Sequence, residues 1–510
     1  PLLPGTTYAA IVKTTLKPKD GGDYERSPTL DKLLMDKTPS GDELKAAWTA
    51  YSPLRDWLDT NGETTEKDIL NAAVFTTQSQ SKVAALRTAI RARNPAALKD
   101  LTVCDGQTKS PCDDGTDGRK CPDDVDAAFT EIHGKIALPI FQTGEAPYRT
   151  PDDGGGIEFK DGKPEVARTE DVCFALSIPK GGEMPEDGWP LVVYGHGTGG
   201  SFRSPMASGI AKDAATGKVG STDVRVAVLG IDLPQHGSRK NGSTTDSGEL
   251  FYNFANPQAA RDNILQGAAD LMTVIYWATG FDQTAGTSPT QKAIRFDGTR
   301  LVLYGHSQGS THGALILPYE TDLAGAILSG NGGNLTQSML HKSNPVDIAG
   351  VLPFALLDPD SKGRLTAGEY HPMLALFQMY FDEVDPVNYA RYLHRAPIGA
   401  VPLHHVFMTY GLGDTYSPEE TMSAYAGAGK LELVKPELAP PTYSSKSNYP
   451  EASAPLSANE AGKTIGFRQY EPDDPETDGH FVSTQSTDGR ADVTRFFLQM
   501  ANGDTPAIGK

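Results

Sequence analysis

The sequence lacks long uninterrupted apolar runs, and it is poor in positive charge and in cysteine. No run approaches the roughly 18 consecutive apolar residues that read as a membrane-spanning helix, so no transmembrane segment is expected. The formal net charge is −19, from 46 basic and 65 acidic side chains. This charge argues against nucleic acid as a partner and against simple electrostatic binding to anionic lipid. Its plainest consequence is solubility.

No signal peptide is visible, and the sequence begins at Pro1 rather than Met. This is compatible with the removal of an upstream targeting segment. The chain of 510 residues is long enough for two or three domains and a sizeable core. Its 53 glycines, 37 prolines and 38% hydrophobic residues indicate a globular protein with many loops.

Only four cysteines occur: Cys104, Cys112, Cys121 and Cys173. The first three lie close together in a segment rich in Asp and Gly. An even count, with no cysteine in the predicted catalytic core, predicts two disulfides and an oxidising compartment. Zinc is the rival interpretation, but there is no C-x-x-C pair and only His133 lies near. Three pairings are possible, and the sequence does not choose among them.

Composition and periodicity divide the chain into three parts. Residues 1–100 mix strand and helix patterns, with helices predicted over 40–58 and 81–97. The opening PLLPGTTY resembles the late strands of a bacterial immunoglobulin-like surface module, so this region is a candidate part of such a module. Residues 101–135 form a connector rich in Cys, Asp and Gly. Residues 136–510 form the largest part, which is expected to be catalytic.

From Pro190 onward, strand patterns alternate with helix patterns. The longest helix is predicted from Asn256 as its cap, Pro257 at its first position and Gly280 at its end. This alternation predicts an α/β fold with a largely parallel central sheet and helices on both faces. The predicted strands of this part cover residues 191–194, 224–231, 301–304, 323–328, 401–410 and 464–470.

A long insertion, about residues 331–400, separates two of these strands. It contains helical patterns such as Met373 to Phe381 and is far longer than a usual connection. We interpret it as a helical cap over the site. The alternative is a structural excursion away from the site.

Gly305-His306-Ser307-Gln308-Gly309 is the most informative motif of the chain. It has the spacing G-x-S-x-G between a predicted strand and a predicted helix. A serine on such a sharp turn has strained backbone geometry, and the small residues let the turn pass close to neighbouring chain. Five residues can match by chance, but this strand and helix context favours a nucleophile elbow with Ser307 as the nucleophile.

A serine nucleophile needs a base, and the base needs an orienting acid. With an elbow of this type the chain order is Ser, then Asp or Glu, then His. Asp414 follows a strong predicted strand, and His480 is the only histidine after it. The order therefore predicts Ser307, Asp414 and His480 as catalytic residues. The alternatives are a turn-forming aspartate and an exposed loop histidine.

Two backbone donors are expected to bind the oxyanion. Gln308 supplies its amide from the elbow. The second donor is expected from the glycine-rich loop 195–200, after an early strand. We prefer Thr198 over Gly197 because its hydroxyl can donate as well.

Residues from about 170 to 500 resemble the α/β-hydrolase superfamily. The resemblance is carried by the loop 195–200, the segment 232–238, the elbow, and the acid and base that follow it. Within the superfamily the chain is similar to secreted or surface-attached bacterial lipases and esterases. The resemblance implies hydrolysis of carboxylic esters through an acyl-enzyme on Ser307, with His480 as the general base and no cofactor for catalysis.

Several alternatives stay open at this point. Asp232 and His236 match a recurrent strand-end motif, and we interpret them as scaffolding for a loop, with substrate contact as the alternative. An acyltransferase or amidase could use the same residues, and an inert surface-adhesion protein could have the same fold. The substrate could be a lipid, a small soluble ester or a polyester. A secreted, periplasmic or cell-surface location is expected, with association to a lipid interface as an open option.

A calcium site is a further hypothesis. Residues 358–369 resemble an EF-hand loop, in which Asp358, Asp360 and Glu369 would be ligands. Lys362 stands where an oxygen ligand belongs, which weakens the pattern. If the site exists, we expect calcium to order the cap rather than to take part in chemistry; the alternative is a polar turn.

Overall fold

The computed structural model describes residues 1–351, 368–440 and 449–510. The chain forms two compact units, Pro1–Gln80 and Ser81–Lys510.

The boundary between the units lies about twenty residues before the position near residue 100 that the sequence suggested. The helix Lys82–Arg91 belongs to the larger unit, because its apolar side chains join that unit's core: Val83, Leu86 and Ile90. The predicted connector, residues 101–135, likewise contributes strand residues to the sheet of the larger unit.

The smaller unit combines one antiparallel strand pair with three helices. The strands are Thr7–Lys13 and Ile69–Thr76, and the helices are Pro28–Leu34, Asp42–Ala50 and Ser52–Asn61. The single helix predicted over 40–58 is therefore two helices, which meet at Tyr51, just before Pro53. One two-stranded sheet differs from the two packed sheets of an immunoglobulin-like module.

A mostly parallel sheet forms the centre of the larger unit. Its strands in chain order are β1 (Leu98–Val103), β2 (Phe129–Ile140), β3 (Arg168–Pro179), β4 (Trp189–Gly195), β5 (Ala227–Ile231), β6 (Ile294–His306), β7 (Leu323–Ser329), β8 (His405–Gly411), β9 (Glu432–Val434), β10 (Glu451–Ala452) and β11 (Ile465–Tyr470). They lie in the order β10-β9-β11-β8-β7-β6-β4-β5-β3-β2-β1, and the short strand Asp282–Gln283 pairs with β6. Neighbours are parallel from β10 to β5 and antiparallel from β5 to β1. The predicted fold class is confirmed.

The central strands read as continuous apolar runs because both faces of the sheet are covered. Hydrophobic clusters lie on the two sides of the sheet. In the described residues, the remaining α-helices of four or more residues are Ser204–Ala207, Ile210–Ala215, Ser247–Phe251, Pro257–Thr279, Gln308–Ile316, Leu335–His341, Pro372–Phe381, Glu419–Gly429, Val482–Gln485 and Thr487–Asn502. Among the described helices, none is long and apolar enough to cross a membrane.

The longest helix, Pro257–Thr279, begins as the sequence predicts. The Asn256 side chain accepts a hydrogen bond from the Ala259 amide, and Gly280 ends the helix. Polar side chains on this buried helix form hydrogen bonds with neighbouring backbone segments. The Gln266 side chain, for example, accepts a hydrogen bond from the Phe141 amide. Such bonds satisfy backbone groups that water does not reach.

Shorter elements complete the larger unit. The short strand pairs are Gln142–Gly144 with Gly154–Ile157, Phe159–Lys160 with Lys163–Pro164, and Lys218–Val219 with Thr222–Asp223.

The four cysteines form two disulfides, Cys104–Cys121 and Cys112–Cys173. The sequence had left open which of the three possible pairings forms.

Parallel pairing brings the carboxyl ends of four strands to one edge of the sheet. Gly195 at the end of β4 pairs with Gly305 on β6, and His306 pairs with Ser329 at the end of β7. The ends of β7 and β8 pair in the same way. The loops that follow these strands therefore meet, and they contain Ser307, Asp414 and the predicted oxyanion donors. His480 follows β11, which pairs in parallel with β8 and ends at the same edge.

Candidate active site

Ser307 lies on the sharp turn between β6 and the helix Gln308–Ile316. Its backbone angles, φ 55° and ψ −118°, are strained for a residue with a side chain. A Cβ at Gly309 would lie 2.0 Å from the Gly195 carbonyl oxygen, and one at Gly305 would lie 2.6 Å from the Gly309 oxygen. Gly309 is therefore required by close packing of the turn against β4, and Gly305 by close packing of β6 against the start of the following helix.

Asp414 and His480 form a buried hydrogen-bonded pair. His480 Nδ1 lies 3.0 and 2.9 Å from the two carboxylate oxygens of Asp414. The amides of Tyr416 and Ser417 donate to Asp414 Oδ1 at 2.9 and 2.7 Å. These bonds fix the carboxylate, and a proton on Nδ1 leaves Nε2 as the basic nitrogen of the imidazole.

Aromatic contacts and a close glycine hold the imidazole of His480 in place. The Tyr416 ring stacks on it with centroids 4.7 Å apart, and the His306 ring centre lies 4.8 Å away. A Cβ at Gly330 would lie 2.5 Å from His480 Cε1. Since His306 directly precedes Ser307, the base lies beside the elbow.

The structure brings the three predicted catalytic residues to one edge of the sheet. Hydrogen bonds join His480 to Asp414 but not to Ser307. Ser307 is partly exposed, and its amide donates to the Ser329 carbonyl at 2.8 Å. Within the described residues, its hydroxyl makes no hydrogen bond to His480. Catalytic hydrogen bonds are often long before substrate binds, so this spacing is compatible with a role for the pair.

The predicted oxyanion donors lie around Ser307. A Cβ at Gly197 would lie 3.5 Å from Ser307 Oγ, and the Thr198 hydroxyl donates to Gln308 Oε1 at 3.1 Å. Among the described residues, the amides of Gly197, Thr198 and Gln308 make no hydrogen bond. All three are thus able to donate to a ligand, and the geometry does not choose between Gly197 and Thr198.

Residues 195–200, from which the second oxyanion donor is predicted, are called the oxyanion loop below. Two neutral histidines hold this loop. His196 Nε2 accepts from the Leu233 amide at 3.0 Å, and His236 Nε2 accepts from the Gly199 amide at 2.9 Å. Burial lowers the pKa of both rings, that of His236 to about 4, so both are neutral acceptors near pH 7. This contact agrees with a scaffolding role for His236.

Asp232 is bound by a residue that the sequence did not indicate. Arg119 donates to its two carboxylate oxygens at 2.9 and 2.7 Å, and both side chains are buried. The Phe202 amide also donates to Asp232 at 3.1 Å, just beyond the oxyanion loop. The spacing of 113 residues between Arg119 and Asp232 leaves no local signal of this contact.

The sequence suggests two possible metal sites. Asp358 and Asp360 lie outside the described residues, and Glu369 accepts from Gln337 at 2.7 Å, so the calcium site stays a prediction. His133 Nδ1 lies 3.8 Å from Cys121 Sγ, but Cys121 is joined to Cys104. In this form the two cysteines offer no thiolate for zinc.

No protein-family model matches the chain, and a search of curated proteins finds no match. Among solved structures, an acetyl xylan esterase from Paenibacillus sp. R4 is 14% identical, with 73% of this chain and 85% of that chain covered and a TM-score of 0.40. Acetyl xylan esterase 1 from Thermoanaerobacterium sp. JW/SL YS485 is 12% identical, with coverages of 82% and 92% and a TM-score of 0.40. A CE15 glucuronoyl esterase from Teredinibacter turnerae T7901 is 14% identical, with coverages of 80% and 79% and a TM-score of 0.35. At these values the similarities do not bear on activity, and the fold rests on the strand order and elbow described above.

Proposed function

We propose that this chain, an α/β-hydrolase by its fold, is a serine hydrolase of carboxylic esters. The observation that supports the proposal most directly is the buried pair of His480 and Asp414, 2.9 Å apart, beside a serine with φ 55°. A strained serine elbow and a carboxylate-oriented histidine are the parts that acyl transfer requires.

In the first half of the proposed reaction, Ser307 Oγ attacks the ester carbonyl carbon while its proton passes to His480 Nε2. Asp414 stabilises the resulting imidazolium through the bond to Nδ1. The carbonyl oxygen becomes an oxyanion, and the free amide of Gln308 donates to it together with that of Thr198 or Gly197. Removing one such donor typically lowers kcat by about 10²- to 10³-fold.

Collapse of the tetrahedral intermediate breaks the bond to the alcohol oxygen, which leaves with the proton from His480. The acyl group then stays on Ser307 as an ester. Water attacks this acyl-enzyme, giving its proton to His480, and the second intermediate releases the carboxylic acid and restores the serine.

Two disulfides in the larger unit support an oxidising compartment, so we extend the proposal to a secreted, periplasmic or cell-surface enzyme. The insertion between β7 and β8 supplies helices such as Leu335–His341 close to the acid loop, since the Ser343 and Asn344 amides donate to Thr415. These contacts support the interpretation of the insertion as a cap that shapes the substrate pocket.

The test is the activity of Ser307→Ala on a short p-nitrophenyl ester, together with labelling by a fluorophosphonate probe. We expect kcat to fall on the order of 10⁶-fold and the label to be lost, with an unchanged melting temperature. Ser457→Ala is the control, because Ser457 is exposed and bonds to the Pro506 carbonyl. Full activity or labelling of Ser307→Ala would contradict the proposal. Absence of labelling in the wild type would favour an inert domain, and product transfer to added alcohols or amines would favour an acyltransferase.

A further inference from the structure

Lys342 is a buried lysine beside the candidate active site, in the insertion that follows β7. Its side chain is only 6% exposed, and Nζ donates to the Tyr416 carbonyl at 2.7 Å. The ammonium lies 5.3 Å from the Tyr252 ring centre and 6.0 Å from the Tyr416 ring centre. It is thus held between two aromatic rings, where its charge is attracted to their faces.

The two rings contact different parts of the site. Tyr416 stacks on the imidazole of His480, and the phenol of Tyr252 is hydrogen-bonded to Thr198 of the oxyanion loop. A Cβ at Gly248 would lie 3.2 Å from Thr198 Cγ2 and 3.5 Å from Pro345 Cγ. The segment that begins at Lys342 therefore lies close to both the candidate base and the predicted oxyanion donors.

The charge of Lys342 has no direct counter-ion in the part of the chain that the structure describes. Among the described residues, no carboxylate lies within 4.0 Å of its nitrogen. The two nearby acids are already bound elsewhere: Asp414 by His480, and Asp478 by the amide and hydroxyl of Thr415 and the amide of His480. A lysine has three N–H donors, and the Tyr416 carbonyl uses one.

A structural bond to a carbonyl does not need a charged donor. Burying an ammonium is expensive unless it is paired, whereas a neutral donor would satisfy the Tyr416 oxygen without that penalty. Burial lowers the pKa of Lys342 to about 8, with Asp414 and Asp478 opposing the shift, so the side chain is charged at pH 7. A buried cation with two donors to spare, next to the reacting groups, is suited to bind an anion from the substrate.

We propose that Lys342 selects esters that bear a free carboxylate, by binding that carboxylate next to the reaction centre. The inference rests on the proposed ester hydrolysis and names its substrate class. Charge-assisted hydrogen bonds of this kind should favour the anionic ester over its neutral counterpart by about tenfold to a hundredfold.

The test is binding to full-length Ser307→Ala, which holds the ester without turning it over. Calorimetry would compare monomethyl glutarate, which is anionic, with dimethyl glutarate, which is neutral. We expect the anionic ester to bind tighter in Ser307→Ala, and K342M to abolish the difference. K463M is the matched control, because Lys463 lies before β11, at the opposite edge of the sheet, and should leave the preference intact.

The inference is overturned if Ser307→Ala does not bind the anionic ester more tightly than the neutral one. It is also overturned if this preference survives K342M, or if K463M abolishes it as fully as K342M does.

If K342M fails to fold, the pH dependence of ester binding to Ser307→Ala decides instead. The anionic preference should fall as pH rises from about 7 to about 9, because Lys342 loses its proton there. A merely structural lysine gives no such fall, and a constant preference would overturn the inference. Wild-type turnover of a p-nitrophenyl ester reports separately on the proposed function, so the two failures are distinguishable.

Discussion

Gly330→Ala is the substitution that probes the placement of the candidate base most directly. Gly330 follows β7 with φ +56°, and a Cβ there would lie 2.5 Å from His480 Cε1 and 2.7 Å from Nδ1. Carbon atoms in good contact are about 3.5 Å apart. The methyl group should therefore displace the imidazole by about 1 Å, which weakens its bond to Asp414.

A displacement of about 1 Å at a reacting group can lower the rate about a hundredfold, so kcat/KM should fall by that factor, equivalent to about 2.7 kcal/mol. Alanine in the left-handed region should also lower the free energy of unfolding by about 1–2 kcal/mol. Gly399→Ala separates the two effects. Gly399 has φ +57° and is exposed, and no atom lies within 4 Å of its ideal Cβ.

The assay measures kcat/KM on a short p-nitrophenyl ester and the free energy of unfolding in urea for both variants. We expect similar losses of stability, with the loss of activity confined to Gly330→Ala. If Gly330→Ala is as active as Gly399→Ala, the imidazole of His480 is not the base, or its position does not matter.

Two further predictions concern the scaffold of the oxyanion loop. The pKa of His236 is about 6.5 in the unfolded state and about 4 in the folded state, because burial disfavours the charged ring. The contribution of neutral His236 to the free energy of unfolding is therefore complete above pH 6.5. It falls by about 3 kcal/mol as the pH falls towards 4. His236→Gln should make the free energy of unfolding in urea less dependent on pH over this range, and an unchanged slope would contradict the contact with Gly199. Arg119→Met leaves Asp232 buried without its partner and should lower the free energy of unfolding by about 3–5 kcal/mol. Arg119→Met/Asp232→Asn should recover part of that loss, and a double variant no more stable than the single one would argue against the pair.

The sequence anticipated those parts of the fold that depend on short segments. The strand runs before Ser307 and Asp414 and the start of the long helix at Pro257 follow from local periodicity and capping. Boundaries were less accurate. The strand predicted over 401–410 begins at His405, because pairing with β7 and β11 determines where a strand starts.

The candidate site shows the same division. Chain order was enough to select His480, since it is the only histidine after Asp414. Asp414 was selected from its place directly after a strong strand pattern. No local pattern pointed to Tyr416 as the ring that stacks on His480 or to Lys342 as a buried cation. Both roles arise from contacts between segments that are far apart along the chain.

By itself the sequence determined the elbow at Ser307, the α/β layering and the order of acid and base, because steric limits and hydrophobic periods act over a few residues. Only the tertiary structure decided which cysteines pair, which arginine holds Asp232 beside the oxyanion loop, and which lysine lies close to both the candidate base and that loop. These choices depend on the packing of loops from different strands at one sheet edge. Local propensities do not specify which of many distant polar groups will meet there.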